Sequence, residues 1–221
     1  MRIRLAGIDV EVTDPTENVT AYLKDYVVPE EGTAAFSAAG GELLSLHREV
    51  AENMPRFDRL VCHGALIEAE GKGILFTAPS GTGKTTHIRL WKQWGGDRVR
   101  IINGDKPILS VEKSGITAWG TPWRGKERMG ENASVPLSAI VLLERSGEDR
   151  IQKEDPAEYL DRLLQQIYLP EERAASDKTY ELAEQLFTRV PFYRLFCTMN
   201  RAAYEEAAGV LLQKSTERSD L

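Results

Sequence analysis

The sequence predicts an α/β protein: a mixed β-sheet flanked by helices, preceded by a small N-terminal α+β extension. Three observations carry this. From Phe57 onward, apolar runs of strand length alternate with longer stretches of helical spacing. After residue 98 the strand-like runs become short and numerous, which favours a mixed sheet over a purely parallel one. The first quarter differs in texture, with one hairpin-like stretch followed by two helical ones between Gly and Pro breaks. The expected division is therefore residues 1–57 and 58–221.

Taken in order, residues 3–12 alternate loosely, and Gly7, Ile8 and Asp9 turn a short hairpin. Residues 18–27 place Val19, Tyr22, Leu23 and Tyr26 at helical spacing, and residues 42–53 do the same with Leu43, Leu44, His47 and Val50. Residues 60–68 read as one buried strand, 69–73 as a turn and 74–78 as a second strand. A Gly-containing loop at 79–83 leads into a helix at 84–94 carrying Ile88, Leu90, Trp91 and Trp94, which Gly95 and Gly96 stop. A strand at 99–102 runs into Asn103, Gly104 and Asp105. Short strands at 108–112 and 116–119 precede a loop at 120–130, and residues 137–144 have a central-strand pattern. Amphipathic helices are expected at 156–167 and 178–187, a strand at 190–198 and a closing helix at 201–212. Residues 215–221 are polar and are expected to fray. There is no internal repeat.

With 221 residues, 42% hydrophobic and 28% charged, the chain can bury a substantial core. Its formal charge of −6 argues against a general nucleic-acid binder, which carries a basic surplus. Cys62 and Cys197 show no C-x-x-C spacing, so the expectation is two buried, reduced thiols rather than a disulfide or zinc framework. No apolar run approaches the roughly 20 residues that span a bilayer, and the N-terminus lacks a signal-like apolar segment. The expected location is cytoplasmic, with no membrane partner.

The strongest local feature is A-P-S-G-T-G-K-T at residues 78–85, which fits G-x-x-x-x-G-K-[ST] with Ala78 in the first glycine position. A strand precedes it and a helix follows. Successive backbone amides in such a loop form an anion nest, and the helix start adds positive potential. The pattern predicts a nucleotide site for ATP or a closely related triphosphate, formed by Ser80, Gly81, Thr82, Gly83, Lys84, Thr85 and Thr86. Lys84 would reach the β- and γ-phosphates, and Thr85 would place its hydroxyl on Mg²⁺.

Phosphoryl transfer also needs a carboxylate for the metal. Asp105, just past the 99–102 strand, is the expected one; Glu144, ending an apolar strand, is its rival. His63, one strand before the loop, is a candidate for chemistry, whereas His87 is expected to pack or to face solvent. In the 119–131 loop, Arg124 and Lys126 are candidates for neutralising a transferring phosphoryl group, and a tryptophan, Trp119 or Trp123, for lining a pocket.

With His63, the loop and Asp105 aligned, the chain resembles the HPr kinase/phosphorylase and ATP-dependent phosphoenolpyruvate carboxykinase group of P-loop enzymes. The resemblance is strongest over residues 59–109, and the segments CHGALIE, GILFTAPSGTGKTTHIRLW, RIINGDKPIL and WGTPWRGKE look like bacterial HPr kinase-like proteins. It implies an HPr kinase / phosphoenolpyruvate carboxykinase-like fold, with residues 58–221 as a P-loop kinase-like core using ATP and Mg²⁺. The implied reaction moves the γ-phosphoryl group to a hydroxyl of a peptide, protein or small molecule. His63 matches a histidine preceding the loop, Lys84 the loop lysine, and Asp105 the metal-associated second member of an aspartate pair. The first member, an acid/base in HPr kinase, falls on Gly104, and His63 is the nearest substitute. This departure keeps two other readings in view: a non-catalytic ATP-binding sensor that acts on a partner protein, and plain triphosphate hydrolysis. HPr kinases are hexamers, so a homo-oligomer belongs among the expected partners.

Overall fold

The computed structural model describes residues 1–213; the segment expected to fray, 215–221, lies outside them. The described chain is mixed α/β, with two β-sheets and helices on both faces of the larger one.

The N-terminal sheet has three strands: β1 (Arg2–Leu5), β2 (Ile8–Thr13) and β3 (Phe36–Ala39). β1 and β2 form the expected hairpin, and β3 joins β2 in parallel. Helix α1 (Glu17–Leu23) begins at Thr16, whose side chain accepts from the Val19 amide. Helix α2 (Leu43–Asn53) buries Leu46, Val50 and Ala51 against this sheet. The resulting apolar cluster also takes in Val61, Ile108 and Trp123, so it is continuous with later parts of the chain.

The larger sheet contains β4 (Arg59–Val61), β5 (Ala65–Ala69), β6 (Lys72–Thr77), β7 (Val99–Asn103), β8 (Ile108–Glu112), β9 (Gly115–Trp119), β10 (Ser134–Arg145), β11 (Arg150–Lys153) and β12 (Phe192–Cys197). β10 links two sections. Its first residues, 134–136, pair antiparallel with β9; its later residues pair in parallel with β6 on one side and β12 on the other. Along β10, Ile140 and Leu142 enter one core while Ala139, Val141 and Leu143 enter the other, the two-residue alternation of a strand covered on both faces. Helices α4 (Leu160–Leu164) and α5 (Arg173–Arg189) cover the first face. Helices α3 (Lys84–Gly95) and α6 (Arg201–Leu211) cover the second, with Trp91 and Tyr204 packed edge to face.

Three expectations needed correction. Residues 60–68 are not one strand: β4 pairs with β8, β5 pairs with β6 and β7, and residues 62–64 leave one section of the sheet for the other. Residues 156–167 are not one helix, because a 3₁₀ turn at Pro156–Tyr159 precedes the short α4. Strands β3 and β11 were not anticipated; each is four residues long and sits at a sheet edge.

Strand direction places the candidate site. β6, β10 and β12 run parallel, and β7 runs with them because two antiparallel steps through β5 restore the direction. The C-terminal ends of four strands therefore open onto one edge, and β5 begins there. In open α/β sheets this is the edge where ligands gather.

Candidate functional site

The loop between β6 and α3 is built on two left-handed glycines, Gly81 (φ 80°) and Gly83 (φ 119°). Gly83 caps α3, and a Cβ there would fall 2.7 Å from Met199 Cε. The first α-helical bond runs from the His87 amide to the Gly83 carbonyl, so the amides of Lys84, Thr85 and Thr86 precede the ladder, at the mouth of the cavity their residues line.

Loop carbonyls are engaged by side chains. Lys84 Nζ donates to Ala78 O at 2.7 Å and to Pro79 O at 3.4 Å. Arg145, at the end of β10, donates from Nε to Thr82 O (2.9 Å) and from Nη2 to Gly81 O (3.0 Å). Thr82 closes the loop on Pro79 O through its own hydroxyl (2.9 Å). Lys84 is only 8% exposed, and burial lowers its pKa to about 8; Asp105 opposes that shift and Lys106 adds to it.

Asp105 and His63 form the facing wall. His63 Nε2 lies 3.5 Å from Asp105 Oδ1, and His63 Nδ1 lies 3.0 Å from Gln166 Oε1. Backbone bonds fix both residues: His63 N donates to Gln166 O at 2.7 Å and Gly64 N to Asp105 O at 2.9 Å. Burial, then Lys84 and Lys106, hold His63 below the ordinary imidazole range against the opposing pull of Asp105 and Gln166. The ring is therefore neutral at pH 7. Asp105 is presented by a turn built on Asn103, which is fully buried. Asn103 Oδ1 accepts from the amides of Asp105 (2.9 Å) and Lys106 (2.8 Å), while its Nδ2 donates to Thr121 O and Oγ1.

These walls enclose an open cavity of about 540 Å³. Of the residues expected from sequence, His63, Ser80, Gly81, Gly83, Lys84, Thr85, Thr86, Asp105, Arg124 and Lys126 line it. Thr82 does not; its hydroxyl is spent inside the loop. Arg124 reaches the wall, but its guanidinium is turned to the N-terminal segment: Nη2 approaches Asp25 Oδ2 (3.3 Å) and Tyr26 Oη (3.4 Å). Lys126 is exposed at the rim, where an Arg89–Glu127 ion pair ties α3 to the 124–129 loop.

Glu144 is corrected as a metal candidate. It does not line the cavity, and it is held by Arg162 (2.6 Å) and Arg194 (3.1 Å). Burial would raise its pKa, but the two arginines outweigh burial and lower it. His63 is likewise not inside a strand but in the 62–64 crossover. His87 packs in the core, accepting from Trp91 Nε1 at 3.0 Å, and both cysteines are buried and free. Arg145, Asn103 and Gln166 were missed. The last two look like ordinary turn and helix residues in sequence, and the basic residue after an apolar strand was overshadowed by Glu144.

Gly104 lines the same cavity, and a Cβ built on it would lie 2.9 Å from Arg124 O and 3.2 Å from Met129 O. The backbone has closed over the position where the resemblance puts an aspartate.

Thr85 and Asp105 are among the hard oxygen donors lining this cavity, with Ser80, Thr86 and the Arg89-paired Glu127, and no cluster of three or more His, Cys, Asp or Glu able to hold a metal occurs among the described residues. That donor set fits an ion whose remaining ligands are water and phosphate oxygens. Among the described residues, no helix is long and apolar enough to cross a membrane.

No curated protein matches the sequence. Among solved structures, the chain is similar to the Hpr(Ser) kinase/phosphatase from Coxiella burnetii, at 10% identity and a TM-score of 0.36, over 62% of this chain and 79% of that one. A family model matches residues 42–211, across β4 to β12 and all the cavity residues above, and the chain belongs to that family, described as SynChlorMet cassette protein ScmC.

Proposed function

We propose that the chain is a Mg-ATP-dependent kinase that transfers the γ-phosphoryl group to a hydroxyl of a peptide, protein or small molecule. The observation that carries this is the meeting, in one cavity, of Lys84 and the α3 amides with the His63–Asp105 pair on the opposite wall.

In this reading the amides of residues 81–86 and the Lys84 ammonium bind the triphosphate, and Lys84 exchanges the Ala78 carbonyl for phosphate oxygens. Thr85 and Asp105 would hold Mg²⁺, which neutralises phosphate charge when bound. His63, neutral at pH 7, takes the acceptor's proton, and Asp105 steadies the imidazolium that results. Lys126, Arg145 and the field of Arg124 offset charge developing on the transferring group.

The test is incubation of the purified protein with γ-labelled ATP, Mg²⁺ and a cell extract. Label should pass to an acceptor, and Lys84→Ala should abolish the transfer with an unchanged circular-dichroism spectrum. Full transfer by that variant would sink the assignment.

A second reading, an ATP-binding sensor without catalysis, is favoured by one observation: residue 104 has no carboxylate and no room for one. Nucleotide binding with no label transfer would support it.

A further inference from the structure

Helices α4 and α5 leave an opening over the core they cover. A hollow of about 650 Å³ lies between them, lined by Leu160, Leu164, Tyr180 and Phe187 and by the start of the 3₁₀ turn at Pro156–Tyr159. A second hollow, of about 430 Å³, shares Leu164 and Tyr180 with it and continues to Leu169. Together they form one apolar groove. Leu160, Leu169 and Tyr180 are 43%, 47% and 47% exposed. They are three of the seven large apolar side chains that stand open to solvent among the described residues, so the exposure is gathered here rather than scattered. Three carboxylates also line the groove, Asp155, Asp161 and Glu184, and no lysine or arginine does. The basic side chains of these two helices are turned elsewhere: Arg162 to Glu144 (2.6 Å), Lys178 to Asp58 (3.0 Å), Arg173 to Asp177 (3.8 Å) and Arg189 to the Lys113 carbonyl (3.4 Å).

An apolar groove with an acidic rim suits an apolar stripe bordered by positive charge. We propose that the α4–α5 groove docks an amphipathic helix of a partner protein, with an apolar side chain at every third or fourth position and lysines or arginines beside them. The apolar side chains enter between Leu160, Tyr180 and Leu169, and the cations meet Asp155, Asp161 and Glu184. A second copy of this chain is a poor occupant, because a two-fold contact through this face would set the three carboxylates of one protomer beside the three of the other with no cation between them. Residues 214–221, KSTERSDL, hold a single apolar side chain, Leu221, too few for the stripe. The groove shares no lining residue with the cavity of Lys84 and Asp105, so the proposal does not rest on the kinase reading.

The test uses two synthetic peptides of one composition. The first has leucines at every third and fourth position with lysines between them; the second is scrambled to erase the stripe. By fluorescence anisotropy the striped peptide should bind the full chain with micromolar affinity, and the scrambled one about tenfold more weakly. Amide NMR of the wild type should show shifts within residues 155–188 and none at 81–86. Leu160→Gln with Tyr180→Ser alters exposed side chains, and should weaken the striped peptide about tenfold with an unchanged melting temperature. Asp161→Lys with Glu184→Lys should lose the lysine peptide and take up a striped peptide carrying glutamate in place of lysine. Should a variant melt early, the wild-type NMR map alone decides. Equal binding of the two peptides, no binding of either, shifts outside 155–188, or an unreversed charge preference would each overturn the proposal. So would a wild-type dimer in sedimentation that Leu160→Gln with Tyr180→Ser dissociates, since the face would then belong to a second copy. None of these outcomes touches nucleotide binding, so the kinase reading stands or falls separately.

Discussion

His63 Nε2 and Asp105 Oδ1 stand 3.5 Å apart while His63 Nδ1 faces Gln166 Oε1, so both ring nitrogens look at oxygen atoms. A neutral imidazole has one N–H to offer. On taking a proton it gains the second, and both oxygens can then accept. Burial and two lysines lower the ring's pKa, while its immediate partners, Asp105 and Gln166, pull it up, so in the proposed kinase the ring would start neutral and have partners for a proton taken from the acceptor. A general base needs this combination.

The pH dependence of kcat/KM should be bell-shaped. Because the His63 pKa is lowered, the neutral base survives below the ordinary value of 6.5, and the acid limb should have its midpoint under that value. The Lys84 ammonium is lost through about 8 in the free protein, which sets the alkaline limb. A pH series on wild type and His63→Gln checks both. The acid limb should vanish in the variant, and its persistence would remove His63 from the mechanism.

Arg145→Ala should loosen the loop after β6. It removes two charge-assisted bonds to the Gly81 and Thr82 carbonyls, each worth roughly 1.5–3 kcal/mol at most. Faster amide exchange at residues 81–84 and about tenfold weaker nucleotide binding are expected. Arg145→Lys should recover little, since one ammonium does not reproduce the guanidinium fork.

Gly104→Asp should not restore an aspartate pair. The added Cβ would meet the Arg124 and Met129 carbonyls, and the strain is expected to remove about 1–3 kcal/mol of stability. Thermal melting should show the loss, and transfer assays should show no gain. Increased transfer would mean that the backbone yields more easily than its contacts indicate.

Stability should fall as pH drops from about 6.5 towards 4. His87 is fully buried, and burial lowers its pKa to about 4, so between those values the unfolded chain binds the proton and the folded chain does not. The loss from this residue is roughly 3 kcal/mol at pH 4. Urea melts across that range would show it, and a flat profile would contradict the burial of this ring.

The sequence exposed what depends on neighbours in the chain. The loop with its Gly81, Gly83 and Lys84, the helix it opens and the apolar run of β10 are local patterns, and they formed where expected. The break at residues 62–64 was hidden, because both flanking strands are apolar and the forces that part them come from far away. Cys62, His63 and Gly64 each donate an amide to a distant carbonyl, of Pro107, Gln166 and Asp105. Gly64 has no space for a side chain, with Leu75 Cδ1 2.7 Å from where a Cβ would be. The same distance in sequence hid Gln166 and Arg145 from the site. It also hid the diversion of Arg124 to Asp25 and Tyr26, since nothing near residue 124 announces partners in the first α+β segment.

β10 runs through both sections of the larger sheet, with β9 along its beginning and β6 and β12 along its end. Neither section can melt independently without tearing hydrogen bonds from the strand that the other still needs. The two should therefore come apart in a single thermal event, and a disturbance to the hairpin of β8 and β9 should be felt at the loop that Arg145 grips, through one unbroken length of backbone.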